Sequence, residues 1–419
     1  MAKNKKEMTP EERLAAALVP EEEQPYELPK GWKWVRIGKI FIDVTDSQKK
    51  IKQKEYLLKG KWPVIDQGQH FIGGYSDADE LIYTDELPVI IFGDHTRNVK
   101  YIDFQFIQGA DGVKVLKPQS FIYSKFLFWL LKGLPFPSLG YRRHFPVLKK
   151  MFAPLPPLDE QQRLVARIES LFAKLDAAKA KVQAVLDAHE ARKAALLHDA
   201  FAGKLTAKWR KEHGIASDSW YTDTLKDLCV KITDGTHHSP PNTNKGDYMY
   251  VTAKNIKETG IMLDNITYVS SAVHDEIYSR CDVKKGDVLY IKDGATTGIA
   301  TVNTLDEPFS LLSSVAVLRP HEERLLPGYL KHLLNSSEQK SKMLNNMSGN
   351  AITRLTLSKI KATSIKVCSL SEQHEIVSIL DRLLGREEEV RQSAESVLAA
   401  IDSMKQSILA RAFRGELGA

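Results

Sequence analysis

Two stretches of this chain repeat one another at a fixed distance. Leu158-Asp159-Glu160-Gln161-Gln162 returns 212 residues later as Leu370-Ser371-Glu372-Gln373-His374. Ala200-Phe201-Ala202-Gly203-Lys204-Leu205 returns at the same interval as Ala412-Phe413-Arg414-Gly415-Glu416-Leu417. The offset is constant over the whole 48-residue segment, yet only 14 of those positions are identical. Length has been held while side chains drifted, as expected of a spacer whose span matters. The interval is too long for a solenoid repeat and points to a pseudo-dimer within one polypeptide, with an internal two-fold relation.

A looser echo divides the rest. Trp32, Ile37 and Ile40 match Trp220, Leu225 and Leu228 at an offset of 188, so the second globular region is about 24 residues longer than the first. The chain then reads as an N-terminal arm (1–25), a first head (26–157), a central spacer helix (158–206), a second head (207–369) and a C-terminal spacer helix (370–419). Its 419 residues are enough for two to four domains with separate cores. The arm is charged, with a short helical prospect at Pro10–Leu18 and an acidic run at Glu21–Glu23.

Both heads read as mixed α/β. Short β-branched runs bounded by Gly, Asp or Pro predict strands at 89–92, 113–116, 287–291 and 314–318. Helices are expected at 124–132 and 327–334. The repeated segments read as long helices. Pro154, Pro156 and Pro157 stop the chain before the first; Asp159 is the expected cap, with Gln162 at the reciprocal capping-box position. Gly203 and Gly415 are the expected ends. A 4-3 pattern runs Ile376, Leu380, Leu383, Glu387, Val390, Ala394, Val397, Ile401, Met404, Ile408, nine of the ten apolar. Its counterpart runs Leu164, Ile168, Leu171, Leu175, Ala178, Val182, Val185, His189, Arg192, Leu196, eight of the ten apolar. Such a seam is that of a coiled coil. Helices of about 40 residues are roughly 60 Å long. Packing the two together antiparallel, with one head at each end, covers both stripes.

Composition mainly excludes. A formal charge of +6 is compatible with a polyanionic partner without establishing one. Cys229, Cys281 and Cys368 form neither a zinc pattern nor a disulfide framework, which suits a reducing cytoplasm. No apolar run approaches the roughly 20 residues of a membrane span, and Lys3–Glu7 lacks the stretch of a signal peptide. There is no Walker A loop and no Asn-Pro-Pro-Tyr-like tetrapeptide of an amino-methyltransferase; Ser239-Pro240-Pro241-Asn242 is not one. His237-His238 has no third metal ligand at a recognisable spacing. No catalytic residue, metal or cofactor is expected in this chain.

The order of parts closely resembles the specificity subunit of type I restriction–modification enzymes. The likeness covers nearly the whole chain and rests on Pro154–Gln162 and Leu370–Gln373 at the helix entries. Phe201-x-Gly203-x-Leu205 and Phe413-x-Gly415-x-Leu417 carry it at the exits. The openings Leu28–Trp32 and Trp220 add to it, with Gly93–Arg97, Gly109–Gly112, Asp234–His237 and Gly286–Leu289 inside the heads. The second entry departs from the pattern in lacking prolines. The resemblance implies two α/β target-recognition domains separated by antiparallel coiled-coil helices, reading a split asymmetric sequence in double-stranded DNA. It also implies two modification subunits carrying S-adenosylmethionine and two motor/nuclease subunits as partners, with no membrane.

Candidate DNA contacts follow from groove chemistry: Arg pairs with guanine or phosphate, and Asn or Gln with adenine. Just before the spacers lie Tyr141, Arg142, Arg143 and His144 in one copy and Asn350, Thr353 and Arg354 in the other, with Arg142 opposite Arg354 at the 212 offset. Polar turns within the first head add Gln67, Gln69, His70, His95 and Arg97; those of the second add Thr236, His237, Lys254, Asn255 and Lys292. For the segments before the spacers the competing reading is a solvated loop, or an arginine paired within its own domain; for the turns inside the heads it is a turn stabilised by its own hydrogen bonds. For the whole chain, a two-headed coiled-coil scaffold that binds protein and not DNA is the alternative.

Overall fold

The computed structural model describes residues 8–137, 142–216, 218–345 and 355–417. They form two compact units, Met1–Gln183 with Ser396–Ala419, and Ala184–Glu395. Each unit joins one head to the start of the helix leaving that head and to the end of the other long helix.

The duplication seen in sequence is a duplication of topology. In the first unit four antiparallel strands lie in the order Phe41–Asp43, Val113–Pro118, Val89–Gly93, Val99–Ile102. In the second the order is the same: Cys229–Asp234, Val315–Pro320, Val288–Ile291, Ala300–Val302. All four predicted strands are among these. A smaller sheet with parallel pairing accompanies each, built on Trp62–Ile65 with Ile107–Gly109 in one unit and on Tyr248–Val251 with Ser310–Leu311 in the other. The predicted helices occur as Ser124–Gly133 and Pro327–Asn335. Each lays an apolar face on its larger sheet: Phe126, Leu127, Leu130 and Leu131 in the first unit, Tyr329, Leu330, Leu333 and Leu334 in the second.

The described part of the N-terminal arm is docked. Thr9 caps Pro10–Ala15, its Oγ1 accepting from the Glu12 amide while its own amide donates to the Glu12 carboxylate. Beyond it, Ala17 is fully buried, and backbone bonds Val19–Trp34 and Arg36–Ala17 extend strand Lys33–Arg36.

The helix entries differ in detail from the sequence reading. The first spacer helix spans Leu158–Asp187, so Asp159 lies inside its first turn and pairs with Arg163 at 3.2 Å. Gln161, wholly buried, anchors the entry instead, and Gln162 is exposed. Both terminal glycines have the positive φ of a C′ position, +73° at Gly203 and +75° at Gly415.

Within each unit the long helices pack antiparallel. In the first, Lys179 meets Asp402 at 2.8 Å and Asp176 meets Lys405, so three residues forward on one helix match three backward on the other. Leu409, Ala412 and Phe413 enter the same core as Val165 and Ile168. In the second, Leu197, Ala200 and Phe201 share a core with Ile376 and Leu380.

The apolar seam does not run unbroken. Val390, Val397 and Met404 on helix Leu370–Ala412 are exposed, as is Val185. Burial passes from Ile376 and Leu380 through Ala394 and Ile401 to Leu409 and Ala412. A straight helix drifts by about 20° per heptad against a 3.5-residue repeat, which moves burial from the expected Ile408 to Leu409. The central helix is also interrupted: it ends at Asp187 and resumes as His189–Phe201. There the seam turns polar. Arg192 Nε lies 2.9 Å from Glu387 Oε2, and His189 Nδ1 lies 3.6 Å from the same oxygen. Arg192 also donates to the Val185 carbonyl, the acceptor that an unbroken helix would give to residue 189. At the positions 212 residues away the chain has Leu175 and Ile401, both apolar.

Candidate nucleic-acid interface

In the first unit three turns converge at the ends of the two sheets: 66–70, 94–98 and 109–112. Gln67 stitches them together. Its Nε2 donates to the Asp111 carbonyl at 2.8 Å and its Oε1 accepts from the His95 amide at 3.1 Å. Its own carbonyl accepts from Thr96 Oγ1 and Asn98 Nδ2. Glycines permit the close approach. A Cβ on Gly112, which has φ +76°, would sit 2.7 Å from Gln67 Nε2 and 2.9 Å from the His95 ring.

Buried charge supports these turns from beneath. Lys100 donates to the His70 carbonyl at 2.6 Å and lies 3.5 Å from Asp66. Burial lowers its pKa, against the opposing pull of Asp66. Asp94, itself buried, accepts from the Phe145 amide at 2.7 Å, and its carbonyl accepts from the His144 amide. The segment before the spacer is thereby tied to the same site. Arg143 Nε stands 4.0 Å from Asp94 Oδ2, with 77% of its side chain exposed. These groups border an open cavity of about 550 Å³ lined by Lys50, His95, Asp111, Lys114 and Arg143.

The topologically equivalent end of the second unit has different chemistry. The buried Asp234 carboxylate is its hub. Lys292 Nζ lies 3.4 Å from it and 2.9 Å from Asp293. His237 and Arg280 each approach it at 3.5 Å from the solvent side. Thr236 Oγ1 bonds the amide and carbonyl of His238, a turn closed on itself. The backbone of Leu311 and Leu312 joins this turn to strand Tyr248–Val251, bringing the 252–255 turn alongside.

The sequence candidates divide accordingly. Gln69, His70, Arg97, Arg142 and Arg143 are exposed, with His95 half-buried beside them; His237 and Lys254 are exposed in the second unit. Three candidates are structural. His144 is buried, its Nδ1 3.0 Å from the Asp94 carbonyl. Asn255 is buried and closes a capping box with Thr252. Lys292 is buried between two carboxylates. Their polarity is spent inside the fold, which leaves nothing to offer a base edge. Gln67 also has both ends engaged and acts as the organiser of the turns. Tyr141, Asn350, Thr353 and Arg354 lie outside the described residues. Sequence reasoning missed Arg280, which closes helix Ser271–Arg280 and reaches Asp234 from 46 residues away. It missed Lys50 too, which pairs with Asp111 at 3.0 Å. Among the described residues no cluster of three or more His, Cys, Asp or Glu side chains is disposed to hold a metal ion.

Comparison with known proteins agrees with this architecture. The model of the type I restriction modification DNA specificity domain matches twice, at residues 29–187 and 217–395. The EcoBI specificity subunit of Escherichia coli is 25% identical over 289 residues, 65% of this chain and 60% of that protein. The EcoKI specificity subunit of Escherichia coli K12 is 22% identical over 427 residues, 94% of this chain and 90% of that one. Among solved structures, a chain from a study of complex assembly and conformational transition of the type I R-M system superposes with a TM-score of 0.67 at 20% identity, covering 94% of this chain and 100% of that one. The HsdS subunit of Thermoanaerobacter tengcongensis gives 0.56 at 20% identity with the same coverage. The two family matches together span most of the sequence, and the chain belongs to the type I restriction modification DNA specificity family.

Proposed function

We propose that this chain is the sequence-reading subunit of a type I restriction–modification complex, with each head reading one half of a split, asymmetric target in double-stranded DNA. One observation carries the reading: two heads whose larger sheets share one strand order present unlike side chains at the same end of those sheets. Gln69, Arg97 and Arg143 stand there in one, His237, Arg280 and Lys254 in the other. Shared scaffolds with different edges suit two different half-sites, since base identity is read by side-chain donors and acceptors in the groove. The paired helices serve as a spacer that fixes the count of unread base pairs. Two modification subunits carrying S-adenosylmethionine complete an adenine methyltransferase, and two motor/nuclease subunits complete the endonuclease. All bond making and breaking belongs to those partners; this chain positions them on the target.

Methylation sequencing of a host genome with and without this chain tests the proposal. The expected result is a bipartite motif with a constant gap, methylated on adenine, that disappears with the chain. An unchanged methylome, or a continuous palindrome, overturns it. A scaffold that binds only protein is distinguished by filter binding in rising salt. A reader loses affinity steeply because the counterions it displaces from the phosphates gain less entropy in rising salt, yet it keeps a large specific-to-nonspecific ratio.

A further inference from the structure

The segment between the first strand of the larger sheet in the first unit and strand Trp62–Ile65 is strongly basic. Residues 46–61 contain six lysines against two acidic residues, a net +4 within a chain whose total is +6. All six lysines are exposed. Lys50 and Lys61 pair with Asp111 and Asp79; Lys49 and Lys52 act on Asp46 and Asp111 only through longer-range attraction, and Lys54 and Lys59 make no ion pair with a carboxylate among the described residues. At the crest stands Leu58, 98% exposed, beside Leu57 at 43%.

This apolar tip is held in place. Ile51 is buried and pairs in parallel with strand Ile107–Gly109. Leu57 and Tyr75 exchange two backbone bonds of 2.8 and 2.9 Å. The Lys61 amide donates to Asp77 at 2.7 Å, and Gly60 lies so close that a Cβ there would meet Tyr75 Cβ at 3.0 Å. The Tyr56 ring is packed against Gly74, leaving a Cβ there only 2.7 Å from Tyr56 Cβ. Leu58 is therefore presented to solvent by backbone fixed on both sides. Through the Lys50–Asp111 pair the segment begins at the turns that Gln67 assembles. The equivalent connection of the second unit, residues 235–247, has a single lysine and no large apolar residue.

We propose that residues 46–61 form a second DNA contact of the first head, in which Leu58 wedges between two base steps while Lys52, Lys54 and Lys59 lie on the flanking phosphates. The inference rests on the DNA-reading function proposed above. A rigid apolar tip ringed by exposed cations gains nothing in water. It matches the chemistry of a duplex, which offers a polyanionic backbone and, between partly unstacked bases, an apolar slot into which Leu side chains insert. Because the equivalent connection of the second head lacks these side chains, the distortion made by this device is confined to one half of the target.

The assembled methyltransferase complex is titrated with target duplexes carrying 2-aminopurine at successive positions. Apart from the target adenines, which a methyltransferase flips out of the stack in any case, the expected result is a several-fold fluorescence rise at one step near the first half-site. Leu58→Ala returns that step to the level of free duplex and leaves the salt dependence of binding unchanged. A Lys52→Gln/Lys54→Gln/Lys59→Gln variant keeps the bright step and lowers the slope of log K against log salt by about 2.7, near 0.9 per phosphate contact. The inference is overturned if no step brightens, if Leu58→Ala leaves the bright step intact, or if the triple variant keeps the full slope. A wild-type complex that prefers its target over random duplex and yet shows no bright step removes this inference alone. One that shows no preference removes the DNA-reading function with it.

Discussion

Gln161 and Gln373, 212 residues apart, make the same three hydrogen bonds in the two units. Gln161 Oε1 accepts from the Tyr123 amide at 2.8 Å, while its Nε2 donates to the carbonyls of Phe121 and Pro156. Gln373 Oε1 accepts from the Leu326 amide at 2.8 Å, and its Nε2 donates to Arg324 and Cys368. Each carboxamide pins the first turn of a long helix to the loop that opens the helix on the larger sheet. Replacing either by Leu strands one buried donor and two buried acceptors, at about 3 kcal/mol or more. Urea unfolding of Gln161→Leu and Gln373→Leu measures the loss; a cost below about 1 kcal/mol counts against the anchoring role.

That pair also shows what the sequence made legible. The repeat exposed two heads and two helices because helix entry needs a fixed side chain at a fixed distance from a proline or cysteine carbonyl. The strands were legible because short apolar runs between Gly and Asp can bury both faces. The seam was only partly so. Counting heptads gives the stripe facing a partner helix, but the first turns of each helix face their own head, and burial follows Val165 as much as Leu164. Site residues were the hardest. Asn255, Lys292 and His144 carry the right chemistry, and nothing in the local sequence reveals that Met262, Asp293 and Asp94 already use it. Arg280 was invisible for the converse reason, since only the fold brings it to Asp234.

Arg143 gives the sharpest test of the reading face. Its guanidinium is mostly exposed and has one long contact, to Asp94, so Arg143→Ala leaves the unfolding midpoint almost unchanged. In binding, losing a bidentate arginine–guanine contact costs about 1–3 kcal/mol and relaxes discrimination at one base of the first half-site. Competition binding against all single-base variants of the target checks this. Unaltered affinity at every position removes Arg143 from the interface.

The second unit carries an acid-sensitive contact. His332 is buried, and burial pushes its pKa below the usual 6.5. Its neutral ring donates from Nε2 to Asp381 at 2.7 Å, and that bond in turn holds the aspartate below the ordinary carboxylate range. For a depressed histidine the unfolded chain binds the proton more readily, so its contribution is complete above about pH 6.5 and shrinks as pH falls toward the folded value. The aspartate contribution follows at lower pH, lost as pH drops through its own depressed value. Urea midpoints between pH 8 and pH 5 should therefore fall more for the wild type than for His332→Gln. Parallel falls exclude the contact as a source of acid sensitivity.

Cys229, Cys281 and Cys368 are all buried, and burial pushes each thiol up to about 12. At pH 8 almost no thiolate exists to react. The native protein is expected to leave a chromogenic aromatic disulfide reagent untouched for minutes, and three thiols per chain should titrate at once in denaturant. Fast reaction of any thiol in the native state contradicts the packing around it.

The antiparallel register supplies the last test, because it specifies where the spacer can be lengthened without breaking it. The pairs Lys179–Asp402 and Asp176–Lys405 set Lys181 opposite Ala400 and Val182 opposite Ala399. One heptad inserted between Lys181 and Val182, and another between Ala399 and Ala400, keeps the 3.5-residue pattern on both helices. It adds about 10 Å of length at 1.5 Å per residue, equivalent to roughly three base pairs at 3.4 Å each. Selection from randomised duplexes should return the same two half-sites across a longer gap, since the insertions leave the turns around Gln67 and Asp234 untouched. A constant gap with altered half-sites would show that the helices do not set the spacing.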